Sequence, residues 1–246
     1  MWSIDRFATL VAVFCSVQSA VAAATNTLPI QPFEAHYKVY GAGLPIGEST
    51  ITLAESEGGK YSMRSNIRPT GLASLVISDR LSEQAHGEYR DGEFWPLSYL
   101  QRRKDGDESH TVKLTFEWEE GTLLAQDNNE HVTLALSPGV IDPLSLHIVV
   151  MHDLQEGRTP REYTLADKTE LKTYDVKVEG EENLDTPMGN IRAVRISRHK
   201  AGSSRVTSFW FAPELDFLLV QISQNKEGSE ILRMSIKDVN GIGRQP

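Results

Sequence analysis

Seven histidines, a serine between an acid and an imidazole, and several close carboxylate pairs are the residues of this chain that could do chemistry. His147 and His152 invite a metal reading, but five residues apart on a helix they point about 140° away from each other. Helical zinc pairs want a spacing of three or four, and the chain has no HExxH. His36, His86, His110, His131 and His199 are scattered, mostly on strand faces that read as wet. No metal site is expected. Asp142, Ser145 and His147 are the residue types of a hydrolytic triad, yet Ser145 and His147, two apart on a helix, face different ways. Neither GxSxG nor SxxK occurs. Ser145 is expected to hydrogen-bond within the first helical turn.

Glu117 with Glu119, Glu181 with Glu182, and the group Asp105, Asp107 and Glu108 could suggest the acid and base of a glycoside hydrolase. The first pair borders a hairpin tip and the others fall in predicted turns, where charge serves solvation. No catalytic residue and no cofactor is assigned. Arg102-Arg103-Lys104 is a basic cluster beside Asp105-Gly106-Asp107-Glu108. It reads as a solvated hairpin end, or as a docking point for a phosphate or carboxylate on an envelope glycolipid.

The elements that must position these residues follow from period-two alternation. Phe33, Ala35, Tyr37 and Val39 alternate with polar residues, as do Val112, Leu114, Phe116 and Trp118. Tyr174, Val176 and Val178 repeat the pattern, and so do Leu232, Met234 and Ile236. Alternate side chains leave a strand on opposite faces, so each run has one apolar and one wet face. Turn signals separate the runs at Gly58-Gly59, Asp91-Gly92, Asp105-Gly106, Glu120-Gly121, Asp127-Asn128-Asn129, Glu179-Gly180 and Gly202-Ser203. The pattern reads as roughly ten to fourteen antiparallel strands, too many for a flat sheet.

Two segments break the period. Gly71 to Ile77 predicts one or two helical turns. Asp142 to about Leu154 predicts a helix, with Asp142 capping its first amides, Pro143 in the first position and Gly157 ending it. The fold expected is mainly β: a strongly curved antiparallel sheet, half-barrel or barrel-like, with one short helix packed on its concave face. In Phe209-Trp210-Phe211 the two phenylalanines share a face and Trp210 takes the other. Core packing is the ordinary use of such aromatics. Trp95, Leu146 and Trp210 are the candidate lining of a ligand groove.

Composition bounds the function. The 25 Lys and Arg against 34 Asp and Glu leave a net charge of −9, which disfavours nucleic acid and anionic membrane as partners of the surface at large. Residues 1–24 read as a secretory signal peptide, with an apolar run FATLVAVFCSV and small residues at Ala20, Ala22 and Ala24. That run is shorter than a membrane span needs. The single cysteine, Cys15, lies inside it behind Phe14, a poor fit to a lipid-attachment site. Residues 25–246 are expected to form a single β-rich periplasmic domain without a transmembrane segment.

Four stretches together resemble a bacterial exported family known as domain of unknown function 3108. They are Tyr37 to Gly47 (YKVYGAGLPIG), Asp142-Pro143-Leu144-Ser145-Leu146, Thr186-Pro187-Met188-Gly189 before a strand with Arg195, and Phe209 to Leu215 (FWFAPEL). The chain differs at Asp216-Phe217-Leu218, where such proteins often carry a glycine or a proline-containing bend. The resemblance implies a periplasmic curved-sheet protein and no assigned activity. The matched residues look architectural: Gly47 and Gly189 for turn backbone, Pro187 and Pro213 for strand ends, Asp142 with Pro143 and Ser145 for the helix start. The expected function is a non-enzymatic envelope protein binding a lipid, glycolipid or other apolar ligand inside the curve of the sheet. The alternatives are a hydrolase of cell-wall or capsular polymer, and a scaffold or assembly factor for envelope proteins.

Overall fold

The computed structural model describes residues 27–75, 79–159, 161–199 and 204–242. The signal-peptide reading of residues 1–24 and the Gly202-Ser203 turn lie outside them. Eight strands run up and down in sequence: β1 (Phe33–Gly41), β2 (Leu44–Ser56), β3 (Lys60–Pro69), β4 (Arg80–Arg90), β5 (Glu93–Asp105), β6 (Glu108–Glu117), β7 (Thr122–Asp127) and β8 (Glu130–Ala135). The two-residue β9 (Val140–Ile141) leads into the helix α1 (Leu146–Gln155). Six strands complete the chain: β10 (Glu162–Asp167), β11 (Glu170–Thr186), β12 (Gly189–His199), β13 (Arg205–Ala212), β14 (Leu218–Lys226) and β15 (Ser229–Asn240). All fifteen form one sheet, in which the last strand returns to pair with the first and leaves β8 and β9 as the edges. The sheet is antiparallel except where β9 lies parallel to β10.

Covalent geometry forces this sheet to curl. Laid flat, fifteen strands at the usual spacing would put β8 and β9 about 67 Å apart. Ala135 and Val140 bound a link of residues 136–139, which spans about 18 Å at most. The link is pinned where the Leu136 amide donates to the Gly121 carbonyl and the Val140 amide to the Ser137 carbonyl. The edges therefore approach each other, and the result is a strongly curved, barrel-like sheet.

The alternation read from sequence sets which face turns inward. Phe33, Ala35, Tyr37 and Val39 of β1 are buried, as are Val112, Leu114 and Phe116 of β6. Tyr37 also sends its hydroxyl to the Leu219 carbonyl (2.7 Å), beside the bulge in β14. Predicted turns at Gly58-Gly59, Asp91-Gly92, Asp105-Gly106, Glu120-Gly121 and Asn128 join successive strands. Glu179-Gly180 does not turn the chain. It is a bulge inside the 17-residue β11, where Gly180 (φ 121°) lets the register slip against β12. Gly71–Leu75 is a 3-10 helix. The turn at Asp216-Phe217 is made without glycine, both residues taking positive φ (50° and 57°).

α1 fills one end of the interior. Its start is fixed by Asp142, whose Oδ1 accepts from the Leu144 and Ser145 amides (both 2.9 Å). Regular helix begins at Leu146, four residues after Asp142, with Pro143 to Ser145 in the preceding turn. Its end is a Schellman motif: Gly157, in the left-handed region, donates to the Leu154 carbonyl, and the Arg158 amide donates to that of Asp153. Ile148 and Met151 are fully buried. Tyr61, Tyr89 and Phe94 touch the helix from β3 to β5, and Tyr163 and Phe209 touch it from β10 and β13. Contacts from both halves of the sheet place the helix on the concave face.

Pro187 and Pro213 stand where strands end, and Gly189 (φ 125°) follows the β11–β12 turn. Gly47 serves a different purpose from the turn backbone expected of it. It lies inside β2, paired with Val39 and Pro69, and an added Cβ would sit 2.4 Å from the Arg68 carbonyl oxygen. Its φ is ordinary, so the need is for close backbone approach. Gly47→Ala is expected to cost about 1–3 kcal/mol by forcing β2 and β3 apart. Urea unfolding should show this as a lowered midpoint with the slope unchanged.

Candidate functional site

A large concavity lies inside the curl, at the end that α1 does not fill. It has a volume of about 820 Å³. One wall comes from β1, β2, β14 and β15 and is largely apolar: Val39, Ile46, Ile51, Ile222, Leu232 and Met234, with Gln224 among them. The other comes from β3, β4 and β5 and is largely polar, carrying Ser65, Glu83, Gln101 and Arg103 beside Ile67 and Leu81. His147, near the start of the helix, reaches the cavity from below.

Strand geometry orders the polar wall. Gln101, Arg103 and Asp105 follow Tyr99 at two-residue intervals along β5, so all four share the inner face. Across the ladder, Glu83 pairs with both Ser65 and Gln101, and Leu81 pairs with Arg103. Arg102-Arg103-Lys104 is thus split by the pleat, and Arg103 is the member that lines the cavity. At the mouth, Arg103 Nη2 meets Asp79 Oδ2 at 3.0 Å. Asp105 stands beside Asp79 there; with Arg103 it lowers the Asp79 carboxyl from the ordinary range, while Asp79 raises that of Asp105. Arg68, 72% exposed, marks the open rim. Deeper in, Tyr99 Oη donates to Glu83 Oε1 (2.6 Å) and Gln101 Nε2 reaches both the Tyr99 oxygen (3.0 Å) and Glu83 Oε1 (3.4 Å). Burial drives the Tyr99 hydroxyl well above its ordinary pKa, with the Glu83 carboxylate the next cause.

Below this wall the helix start forms a second polar group. Tyr61 Oη donates to Ser145 Oγ (2.9 Å), next to the Asp142 cap. Gly87 makes this possible, because a Cβ there would fall 2.4 Å from the Tyr61 oxygen. Burial pushes the Asp142 carboxyl up to about 6, opposed by its bonds to Ser145 and Leu144. Its Oδ2 meets no hydrogen-bond donor among the described residues. His147 is pushed down to about 4, chiefly by burial and secondarily by Arg198. His147 faces Phe209 while His152 faces Tyr89 and Phe94, so the two helical histidines look to opposite halves of the sheet. No cluster of three potential metal ligands occurs among the described residues.

The three residues expected to line a groove are not brought together. Leu146 is buried against a small void of about 20 Å³ with Val150, Phe209 and Phe211, beside the main cavity. Trp210 alternates with Phe209 and Phe211 and therefore turns to the outer face. There its indole N–H donates to the Glu182 carboxylate and Arg195 lies over its ring. Trp95 alternates with Phe94 in the same way and packs against Trp118 and Arg90. Neither tryptophan lines the cavity. The residues that do, Glu83 and Gln101, were signalled by their parity: each lies two positions from a buried Ala85 or Tyr99 on the same strand face.

Fold and cavity define a barrel-like sheet closed at one end by a helix and open at the other. The chain belongs to the family described as "Protein of unknown function (DUF3108)", which matches residues 33–235. Among solved structures it is similar to the beta-barrel-like protein of domain of unknown function DUF1849 from Brucella abortus. That likeness has 14% identity and a TM-score of 0.55, covering 88% of this chain and 99% of the other. A structure described as a candidate lipoprotein from Parabacteroides distasonis matches at 10% identity and TM-score 0.39, over 88% and 98% of the two chains. One described as a candidate exported protein with YmcC-like fold from Bacteroides fragilis matches at 11% and 0.38, over 89% and 100%. No curated protein matches the chain. No helix among the described residues is long and apolar enough to cross a membrane.

Asp142 and His147 oppose each other in pH. The raised Asp142 contributes stability that is complete below about pH 4 and is lost as pH rises through about 6. The lowered His147 contributes stability present above about pH 6.5 and lost as pH falls through about 4. Each effect is on the order of 2–3 kcal/mol. Asp142→Asn keeps the capping oxygen and removes the first effect. Its stability relative to wild type should therefore fall by that amount between pH 7 and pH 4, as read by urea midpoints at the two values.

Proposed function

We propose that this protein binds an amphiphilic molecule, a lipid or glycolipid, in the concavity of its sheet, and that it acts as an exported envelope protein without catalysis of its own. The single β-rich unit spanning residues 25–246 would be delivered by the leader at residues 1–24. The observation that carries this reading is the 820 Å³ cavity with one apolar and one polar wall. Its size falls in the range of small-molecule sites, roughly 300–1,000 Å³. Apolar surface of that extent facing an open mouth is unfavourable in water and is relieved by an alkyl chain. The polar groups along the opposite wall and rim suit a molecule with a head as well as a tail.

The carboxylates do not favour the hydrolase alternative. Asp79 and Asp105 lie at the exposed rim, where Asp79 pairs with Arg103, and Glu83 is engaged by Tyr99 and Gln101. Native mass spectrometry of the purified protein, with solvent extraction of what it carries, tests the binding reading. Nile red should bind with enhanced fluorescence. Ile67→Trp and Leu232→Trp, which add bulk at half-buried lining positions, should each weaken it at least tenfold with the circular dichroism spectrum unchanged. A protein that carries nothing and leaves Nile red dark would overturn the proposal.

A further inference from the structure

Glu83 is the innermost charged side chain of the cavity wall. It lies two strand residues, about 7 Å, inward of the Leu81–Arg103 pair. One further step inward the wall closes on Met63, Ala85 and Tyr99, all buried. The donors around Glu83 are few, and most are committed: only the Ser65 hydroxyl, its neighbour across the ladder, is not engaged elsewhere. Tyr99 and Gln101 both give their hydrogens to Oε1, and Arg103 turns to Asp79 at the mouth. No donor among the described residues reaches Glu83 Oε2. The inner end of the polar wall therefore offers acceptor capacity and negative charge. Ile51 lies two strands away in the same row, beyond Ser65, and Ile222 and Met234 line the same cavity from β14 and β15.

Resting on the amphiphile reading, we infer that the ligand's polar group is a hydrogen-bond donor, an amine or a hydroxyl, seated against Glu83 Oε2 with its alkyl part along the β1, β2, β14 and β15 wall. A carboxylate or phosphate in that place would meet the like charge of Glu83, against which the one neutral hydroxyl of Ser65 offers little. A group that donates would complete the second oxygen of Glu83, a charge-assisted bond of the stronger kind.

Displacement of Nile red at pH 7 by dodecylamine, 1-dodecanol and dodecanoate tests this with the chain length held constant. The amine or the alcohol should displace the dye at a concentration at least tenfold lower than dodecanoate. The better of the two names the donor. Glu83→Gln keeps an oxygen for Tyr99 and removes the charge. It should bring the amine-to-dodecanoate ratio within threefold of unity, each displacement being referred to the variant's own Nile red affinity. Dodecanoate binding as tightly as the other two in wild type overturns the inference and leaves the amphiphile reading standing. So does a ratio that Glu83→Gln leaves unchanged. Dye binding absent from the wild-type protein overturns both.

Discussion

The four residues between Ala135 and Val140 constrain everything else. They tie one edge of a fifteen-stranded sheet to the other across a span that a flat sheet would exceed several-fold. Once the sheet curls, its inner face has to be filled or wetted. α1 leaves from the very edge strand that the link delivers, so the same connection that curves the sheet also turns the helix into the space it creates. Asp142, one residue after β9, fixes that turn by holding two amides on a single carboxylate oxygen.

The cap comes with a conflict. A carboxylate with no exposure to water disfavours its own charge, and the raised Asp142 records this. Yet the helix start needs an acceptor, and the amides it satisfies would otherwise be buried without partners. His147 meets the opposite problem one turn on, since burial disfavours its protonated form. Between pH 4 and 6.5 the two effects have opposite sign, so the contributions of Asp142 and His147 to stability largely offset each other in the interval where either alone would vary.

The strand faces were legible because burial on one side leaves a period of two that composition alone reveals. Phe33 to Val39 and Val112 to Phe116 needed only that rule. Gly180 misled because a bulge and a hairpin use glycine for the same reason, a positive φ, and only the partner strand distinguishes them. Gly47 misled in another way: its cause is a carbonyl on the neighbouring strand, 21 residues away in sequence. The fifteenth strand escaped notice because two residues, Val140 and Ile141, have no period to display. Trp95 and Trp210 stand out in sequence through their aromatic neighbours, but parity puts them on the outer face, behind Phe94 and between Phe209 and Phe211. Glu83 and Gln101 obey the parity rule but carry no signal of their own in sequence, because a polar residue on an inward face breaks the pattern until a cavity explains it.

Size decides what kind of space this is. A dry, enclosed void of 820 Å³ would cost on the order of 20 kcal/mol, more than the whole stability of an ordinary domain. The space must therefore be open to water, and the charged rim at Arg68, Asp79 and Arg103 keeps it so. Water satisfies the β3 to β5 wall well and the β1, β2, β14 and β15 wall poorly. A purely apolar guest would relieve the second wall and strip water from Glu83; a purely polar one would do the reverse. On the proposed reading, a two-faced molecule oriented with its head toward β4 and β5 would improve both walls at once. The void beside Leu146, at about 20 Å³, is too small to matter in this balance.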